Sequence, residues 1–249
     1  MNTVSVAAMI GLAIALAPAA RAAELRVLAG GGMAGEWALL KPKFEQASGH
    51  KLDIFFGTTP NLIKEATSGK AFDVGIVPRE VMQDAAARAR FAPGPTLDIA
   101  RVGLGVAVRA GAAKPDIGTA DAFKAALLNA QSIATVPASA AGAQVMKTFE
   151  RLGVSDAIKS KLQAKSGPGE IIAAVAKGEA ELGIFLANVL TAPGLDVVGP
   201  FPVDLQQEIV FTGAPASETK EADAAKALLV YLKSAGAIAI IKAKGMTPG

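Results

Sequence analysis

The chain has 249 residues, of which 51% are hydrophobic but only 5% aromatic, enough to bury a core of Ala, Val, Leu and Ile in one or two domains. With 25 basic against 22 acidic residues, a net charge of +3 and no basic run interleaved with aromatics, a nucleic-acid footprint is excluded. There is no cysteine and a single histidine, which excludes disulfides, Cys–His nucleophiles and the usual zinc ligand sets.

Val4 to Ala20 is almost wholly apolar, too short for a comfortable membrane span, and closes with Ala20-Arg21-Ala22. This small-x-small pattern predicts a secretory signal peptide over residues 1–22, cleaved near Ala22, although the usual basic residue before the apolar core is missing. The expected mature protein is periplasmic, free of a lipid anchor, and a monomer. Near the C-terminus "AGAIAIIKAKG" is too short for a span and is broken by lysines.

The mature chain alternates short apolar runs with amphipathic runs, which predicts a layered α/β protein. Leu25 to Ala29 is a first strand. Glu36 to Ser48 is a helix with Trp37, Leu40, Phe44 and Ala47 on one face; Pro42 should kink or shorten it, and Gly49 ends it. Lys51 to Phe56 is a second strand, and Thr59 as N-cap with Pro60 at the first helical position opens a helix to about Ser68. Phe72 to Pro78 is a third strand and Glu80 to Arg90 a third helix.

Leu97 to Arg109, long for a single strand, is read as crossing between two lobes. In the second set, Thr119 or Asp121 caps a helix, Ser132 to Pro137 is a strand, and a helix follows the loop at Ser139. Another helix covers Ser155 to Gln163, one from Gly169 to Ala180 is interrupted by Gly178, and Glu181 to Ala187 is a strand. The chain returns through "LDVVGPFP" and "QEIVFTGAP" to a helix from Lys220 to about Ser234 and a shorter one. The expectation is two α/β lobes, each a mixed sheet flanked by helices and joined by two hinge strands. Residues 23–105 and 200–249 form lobe 1, and residues 106–199 form the inserted lobe 2.

Gly30, Gly32 and Gly35 match the dinucleotide spacing G-x-G-x-x-G, but Asp53, the acid about 20 residues on, lies at the wrong end of its strand to hold a ribose. Two readings remain: glycines that turn strand into helix, or a cradle whose N–H groups approach a small anion. The second gains from recurrence. Gly31, Gly32 and Met33 follow the first strand, Thr58 and Thr59 the second. Ser139, Ala140 and Ala141 follow a later strand, and Pro168 and Gly169 open another helix. Arg79, just past the third strand, either adds a positive charge to this site or is a surface arginine at a helix start. Glu36 and Glu170 are the nearest carboxylates, each in a first helical turn where the dipole stabilises it. His50 reads as exposed and structural.

The run "LRVLAGGGMAGEW…FEQASGHKLDIFFGTTPNLIKEATSGKAFDVGIV", with "ARVGLGVAVRAG", "KGEAELGIFLANVL" and "AKALLVYLKSAGAIAIIKAKGM", resembles the periplasmic solute-binding proteins of ABC importers, in the molybdate-binding type. The resemblance implies a type II two-lobed fold, no cofactor or metal, closure over a small anionic ligand, and delivery to an ABC permease in the inner membrane. It places the family's first serine at Gly32, its next serines at Thr58 and Thr59, and its tyrosine at or near Leu186. The lost hydroxyls and the added Arg79 point to an anion other than molybdate, such as an organic acid. An aconitate isomerase resembles the same group. In that alternative Arg79, Thr58, Thr59 and Ser139 clamp a tricarboxylate, and Glu170 or Glu36 is the catalytic group that shuttles the proton.

Overall fold

The computed structural model describes residues 22–249, so the expected signal peptide falls almost wholly outside the described residues. Strand β1 (Glu24–Gly30) runs through a short 3-10 turn into helix α1 (Ala34–Ser48). Then come β2 (Lys51–Gly57), α2 (Thr59–Thr67) and β3 (Val74–Pro78). Both β2 and β3 pair parallel to β1, as a β-α-β-α-β unit requires. Leu25, Val27 and Ala29 of β1 pack with Trp37, Leu40 and Phe44 on one face of the sheet, and Leu28 packs with Leu62 and Val77 on the other. Helices thus cover both faces, which explains why these strands read as continuous apolar runs.

Several local expectations are corrected. Helix α1 is not shortened at Pro42 and runs on to Ser48, because Pro42 and Ala38, whose carbonyl the proline leaves without a partner, both lie on the solvent side. The N-cap of α2 is Thr58, not Thr59. The single helix expected over 80–90 is two short ones, α3 (Arg79–Gln83) and α4 (Ala85–Arg88), divided at Asp84, whose side chain accepts from the Ala87 N–H.

Strand β4 (Leu97–Arg109) is one continuous strand. After it come α5 (Ala120–Asn129), β5 (Ile133–Thr135), α6 (Ala140–Arg151) and α7 (Ser155–Ile158). A short strand β6 (Leu162–Ala164) stands where the helix was expected to continue, because its residues pair parallel to β5. Next are α8 (Pro168–Ala176), β7 (Leu182–Leu186), β8 (Leu195–Pro200) and β9 (Glu208–Pro215). Helices α9 (Ala222–Leu232) and α10 (Ala235–Ala243) and a two-residue strand β10 (Thr247–Pro248) complete the chain. Among the described residues no single helix is long and apolar enough to cross a membrane.

The sheet order is β2-β1-β3-β9-β4-β7-β5-β6, with β8 and β10 also on β4. Its first half is closed by β9, antiparallel to β3 and to Leu97–Gly103 of β4. From Leu104 onward the partners of β4 change to β7 and β8, and β5 continues that second half parallel to β7. At the changeover the side chain of Gln206 acts as a short strand: its Oε1 accepts from the Leu104 N–H at 2.8 Å and its Nε2 donates to the Leu104 carbonyl at 2.9 Å. A Cβ at Gly103 would lie 3.0 Å from that amide, so the glycine leaves room for it. Leu104 is fully buried, and Phe201 N–H also reaches its carbonyl. Gln206→Ala therefore removes the partner of the Leu104 N–H and should cost about 1–3 kcal/mol. Urea unfolding will measure this; a loss within error would show that the amide is dispensable.

Candidate functional site

The N-terminal ends of four helices meet where the parallel strands of both halves end: α1 through its 3-10 turn, α2, α6 and α8. Gly31, Gly32, Thr58, Thr59, Ser139, Ala140, Ala141, Pro168 and Leu186 all line one small space of about 30 Å³ there, closed by Phe185, Ile209 and Phe211. Such a volume holds about two waters. Part of its polar lining is engaged within the protein. Thr59 Oγ1 accepts from the Ala140 N–H at 3.0 Å, bridging the halves. Ser139 Oγ caps α6 by accepting from Gly142 N–H at 2.9 Å and donates to the Val136 carbonyl at 2.8 Å. At Gly32 an added Cβ would lie 2.4 Å from Leu186 Cδ1 and 3.2 Å from Phe211 Cζ. Apolar side chains fill the space that a hydroxyl at 32 and a tyrosine near 186 would share.

A larger cavity of about 520 Å³ adjoins it, sharing Gly31, Gly32, Gly57, Thr58 and Pro168. Its walls come from the first turn of α1, the β2–α2 connection, the Ser166–Gly169 turn, the segment from Asn188 to Pro193, and Lys244 just beyond α10. The first N–H groups of α1, α2 and α8 lack intrahelical partners and give this end of the cavity positive character. Its volume falls within the range of about 300–1,000 Å³ typical of small-molecule sites. Among the described residues no group of three or more His, Asp or Glu side chains is placed to hold a metal ion.

Glu36 and Lys244 are the charged side chains in this wall. Glu36 is only 1% exposed. Its Oε1 accepts from Asn188 Nδ2 at 3.0 Å, and the same nitrogen donates to the Gly32 carbonyl at 2.7 Å. Glu36 Oε2 and Asn188 Oδ1, both cut off from solvent, have no hydrogen-bond partner. Burial pushes the Glu36 carboxyl above the ordinary carboxylate range, against the opposing pull of Asn188, its own N–H and Lys244.

Other expected site residues stand elsewhere. Gly169 lines the larger cavity, but Met33 is a fully buried core side chain lining neither space. Arg79 also lines neither. It pairs with Asp98 at the start of β4 at 2.8 Å and stays 48% exposed, because the chain turns straight from β3 into α3 on the outer side. Glu170 is exposed and tied to Ser166, whose hydroxyl and N–H hold its carboxylate below the usual range, so it closes the first turn of α8. His50 Nδ1 accepts from the Ala23 N–H at 3.1 Å, a structural contact. The sequence reading missed Asn188, Thr191 and Lys244. Asn188 carried a signal, since it lies two residues past β7 at a strand's C-terminal end, whereas Lys244 arrives only because α10 packs beside α1.

Two outcomes test this geometry. A Gly32→Ser variant overpacks Leu186 and should lose about 1–3 kcal/mol, with Leu186→Ala costing less in that background than in the wild type; additivity in thermal unfolding would contradict the contact. The raised folded value of Glu36 makes its contribution to stability fully present below the ordinary carboxylate range and lost as pH rises through the folded value. Glu36→Gln should therefore flatten this part of the pH–stability profile, and an unchanged profile would rule out a buried, perturbed carboxyl.

The sequence profile described as "bacterial extracellular solute-binding protein" matches residues 25–247. An aconitate isomerase of Pseudomonas sp. is 34% identical, covering 100% of this chain and 97% of that protein. The molybdate-binding protein ModA of Azotobacter vinelandii is 29% identical over 92% of each chain. Among solved structures, the periplasmic molybdate-binding protein of Azotobacter vinelandii superimposes with a TM-score of 0.77 at 20% identity, covering 90% of this chain and 99% of that one. The two halves of the sheet are thus the two lobes of a type II periplasmic-binding fold, and the chain belongs to the bacterial extracellular solute-binding protein family.

Proposed function

We propose that this protein captures a small organic polycarboxylate in the 520 Å³ cavity between its lobes. The observation that carries this reading is the contrast between the two spaces. The small one, where the family resemblance places the oxyanion hydroxyls, is narrowed by Leu186 and Phe211, and its Ser139 hydroxyl already donates to the Val136 carbonyl. The larger one is too roomy for a tetrahedral oxyanion and offers Lys244, the open ends of three helices, and the side chains of Thr58 and Asn61, while the hydroxyls of Ser166 and Thr191 already donate to Glu170 and to the Asn188 carbonyl. These groups can hold several carboxylates a few ångströms apart.

In this reading the protein is exported by residues 1–22 and works in the periplasm. Lobe 1 comprises residues 23–105 and 200–249, and lobe 2 residues 106–199. Groups on both lobes bond the ligand together only when the cleft is shut, so the ligand selects the closed state. An ABC permease of the inner membrane then takes the closed form as its partner.

A second reading is favoured by the buried carboxyl of Glu36 in the cavity wall together with the 34%-identical aconitate isomerase. Moving a double bond between carbons beside carboxylates needs a positioned group that removes a proton from one carbon and returns it to another. In this reading Glu36, the carboxyl in the cavity wall, takes that role. Glu170, turned to solvent, is not.

A thermal-shift series decides the ligand class. At about 100 times Kd, cis- or trans-aconitate or citrate should raise Tm by roughly 5–10 °C, with no rise from molybdate, tungstate or sulfate. Lys244→Ala should weaken carboxylate binding roughly tenfold or more, through loss of a charge-assisted contact. A rise with molybdate alone would overturn the proposal. Ultraviolet absorbance of each aconitate isomer incubated with the protein separates the two readings: turnover marks an isomerase, and binding without turnover a transport protein.

A further inference from the structure

Three hydrogen bonds cross the seam between the lobes beside the cavity. Asn188, two residues past β7 in the second lobe, sends its Nδ2 to the Gly32 carbonyl at 2.7 Å and to Glu36 Oε1 at 3.0 Å, both on the first lobe. Both hydrogens of that nitrogen are thus spent across the seam. The third bond joins the Ala140 N–H at the start of α6 to Thr59 Oγ1 on α2 at 3.0 Å. All three are bonds of protein to protein, and none needs a molecule between the lobes.

The surroundings fit Asn188 for this contact. The residue is buried, and Thr191 Oγ1 donates to its carbonyl at 2.7 Å, which ties down the turn that carries it. Across the seam, a Cβ at position 32 would strike Leu186 Cδ1 at 2.4 Å, so the glycine lets the end of β7 come close enough for the amide to reach. The contact also carries a cost. Glu36 Oε2 and Asn188 Oδ1 are sealed from solvent without a partner. Stranding two polar atoms and making two buried hydrogen bonds are effects of the same order and opposite sign.

We propose that Asn188 is a latch between the lobes: its amide keeps the closed form populated by protein contacts alone, in balance with an open form. Parting the lobes breaks both of its bonds but returns the stranded oxygens to water, so neither form dominates completely. A ligand that bonds both walls of the cavity has only to tip this balance, and the latch then slows its release. Asn188 is in this sense a positioning residue: it acts on the ligand through the position of the lobes.

The chain has no cysteine, so a pair of nitroxide labels can be introduced cleanly at Lys64→Cys and Lys147→Cys. Both positions are exposed, and they lie on α2 and α6, the helices whose first turns meet at Thr59 and Ala140. Without ligand, pulsed electron resonance should give two distances in the otherwise wild-type protein. In Asn188→Ala and Asn188→Leu the population at the shorter distance, relative to the longer, should fall about tenfold. A single long distance in the wild type, or the same ratio in all three proteins, overturns the latch. Should neither variant fold, the wild-type distances still decide. Release of trans-aconitate adds a second readout, which rests on the carboxylate reading of the cavity: both variants should let it go about tenfold faster, and equal rates overturn the latch. If no carboxylate binds, that reading fails alone, and the distances still decide the latch.

Discussion

Leu97–Arg109 is one unbroken strand whose first seven residues pair in one half of the sheet and whose remainder pairs in the other. Because a strand is stiff along its length, this places the two halves at a defined distance and brings the ends of both parallel sets toward a common seam. Every helix N-terminus in the candidate site owes its position to that arrangement: α1 and α2 come from the first half, α6 and α8 from the second. A chain with two independent sheets would have no reason to aim four such ends at one place. At the joint itself backbone pairing changes partners, and Gln206 supplies the missing partner from a side chain.

Along the seam, polarity is divided unevenly. On one side Thr59 Oγ1 accepts from the Ala140 N–H, the Ser139 hydroxyl donates to the Val136 carbonyl, and Leu186 and Phe211 narrow the remaining volume. On the other, Oε2 of Glu36 and Oδ1 of Asn188 have no internal partner, and Lys244 stands in the same wall. Buried polar groups are nearly always paired, so these two atoms, cut off from solvent, are a local cost of the packing around α1. The two spaces adjoin, with Gly31, Gly32, Gly57, Thr58 and Pro168 lining both.

Much of the fold was readable before any coordinates. The apolar runs at Leu25–Ala29 and Phe72–Pro78 and the long run at Leu97–Arg109 carry the strand signal directly, and all three are strands. What failed was local competition. Asp84 offered a better cap than helix continuation, and Leu162–Ala164 found a strand partner that no short-range pattern announces. Thr59 looked like a cap from its neighbour Pro60, yet its hydroxyl bonds across the seam, a partner 81 positions away. The turns that form the site were legible because glycine, serine and threonine at strand ends have a local cause. Lys244 and the pairing of Arg79 with Asp98 were not, since both depend on how distant elements pack.

Gly32 and Leu186 fit so closely that they constrain history as well as structure. A side chain at position 32 and a leucine at 186 cannot occupy the same ångströms. A lineage that began with a hydroxyl at 32 must therefore lose it before the leucine can settle, and one that returns must first remove the leucine. Either route passes through a protein with a void at the seam, less well packed than both ends. Such an intermediate couples the two positions, so that neither residue changes freely while the other stays.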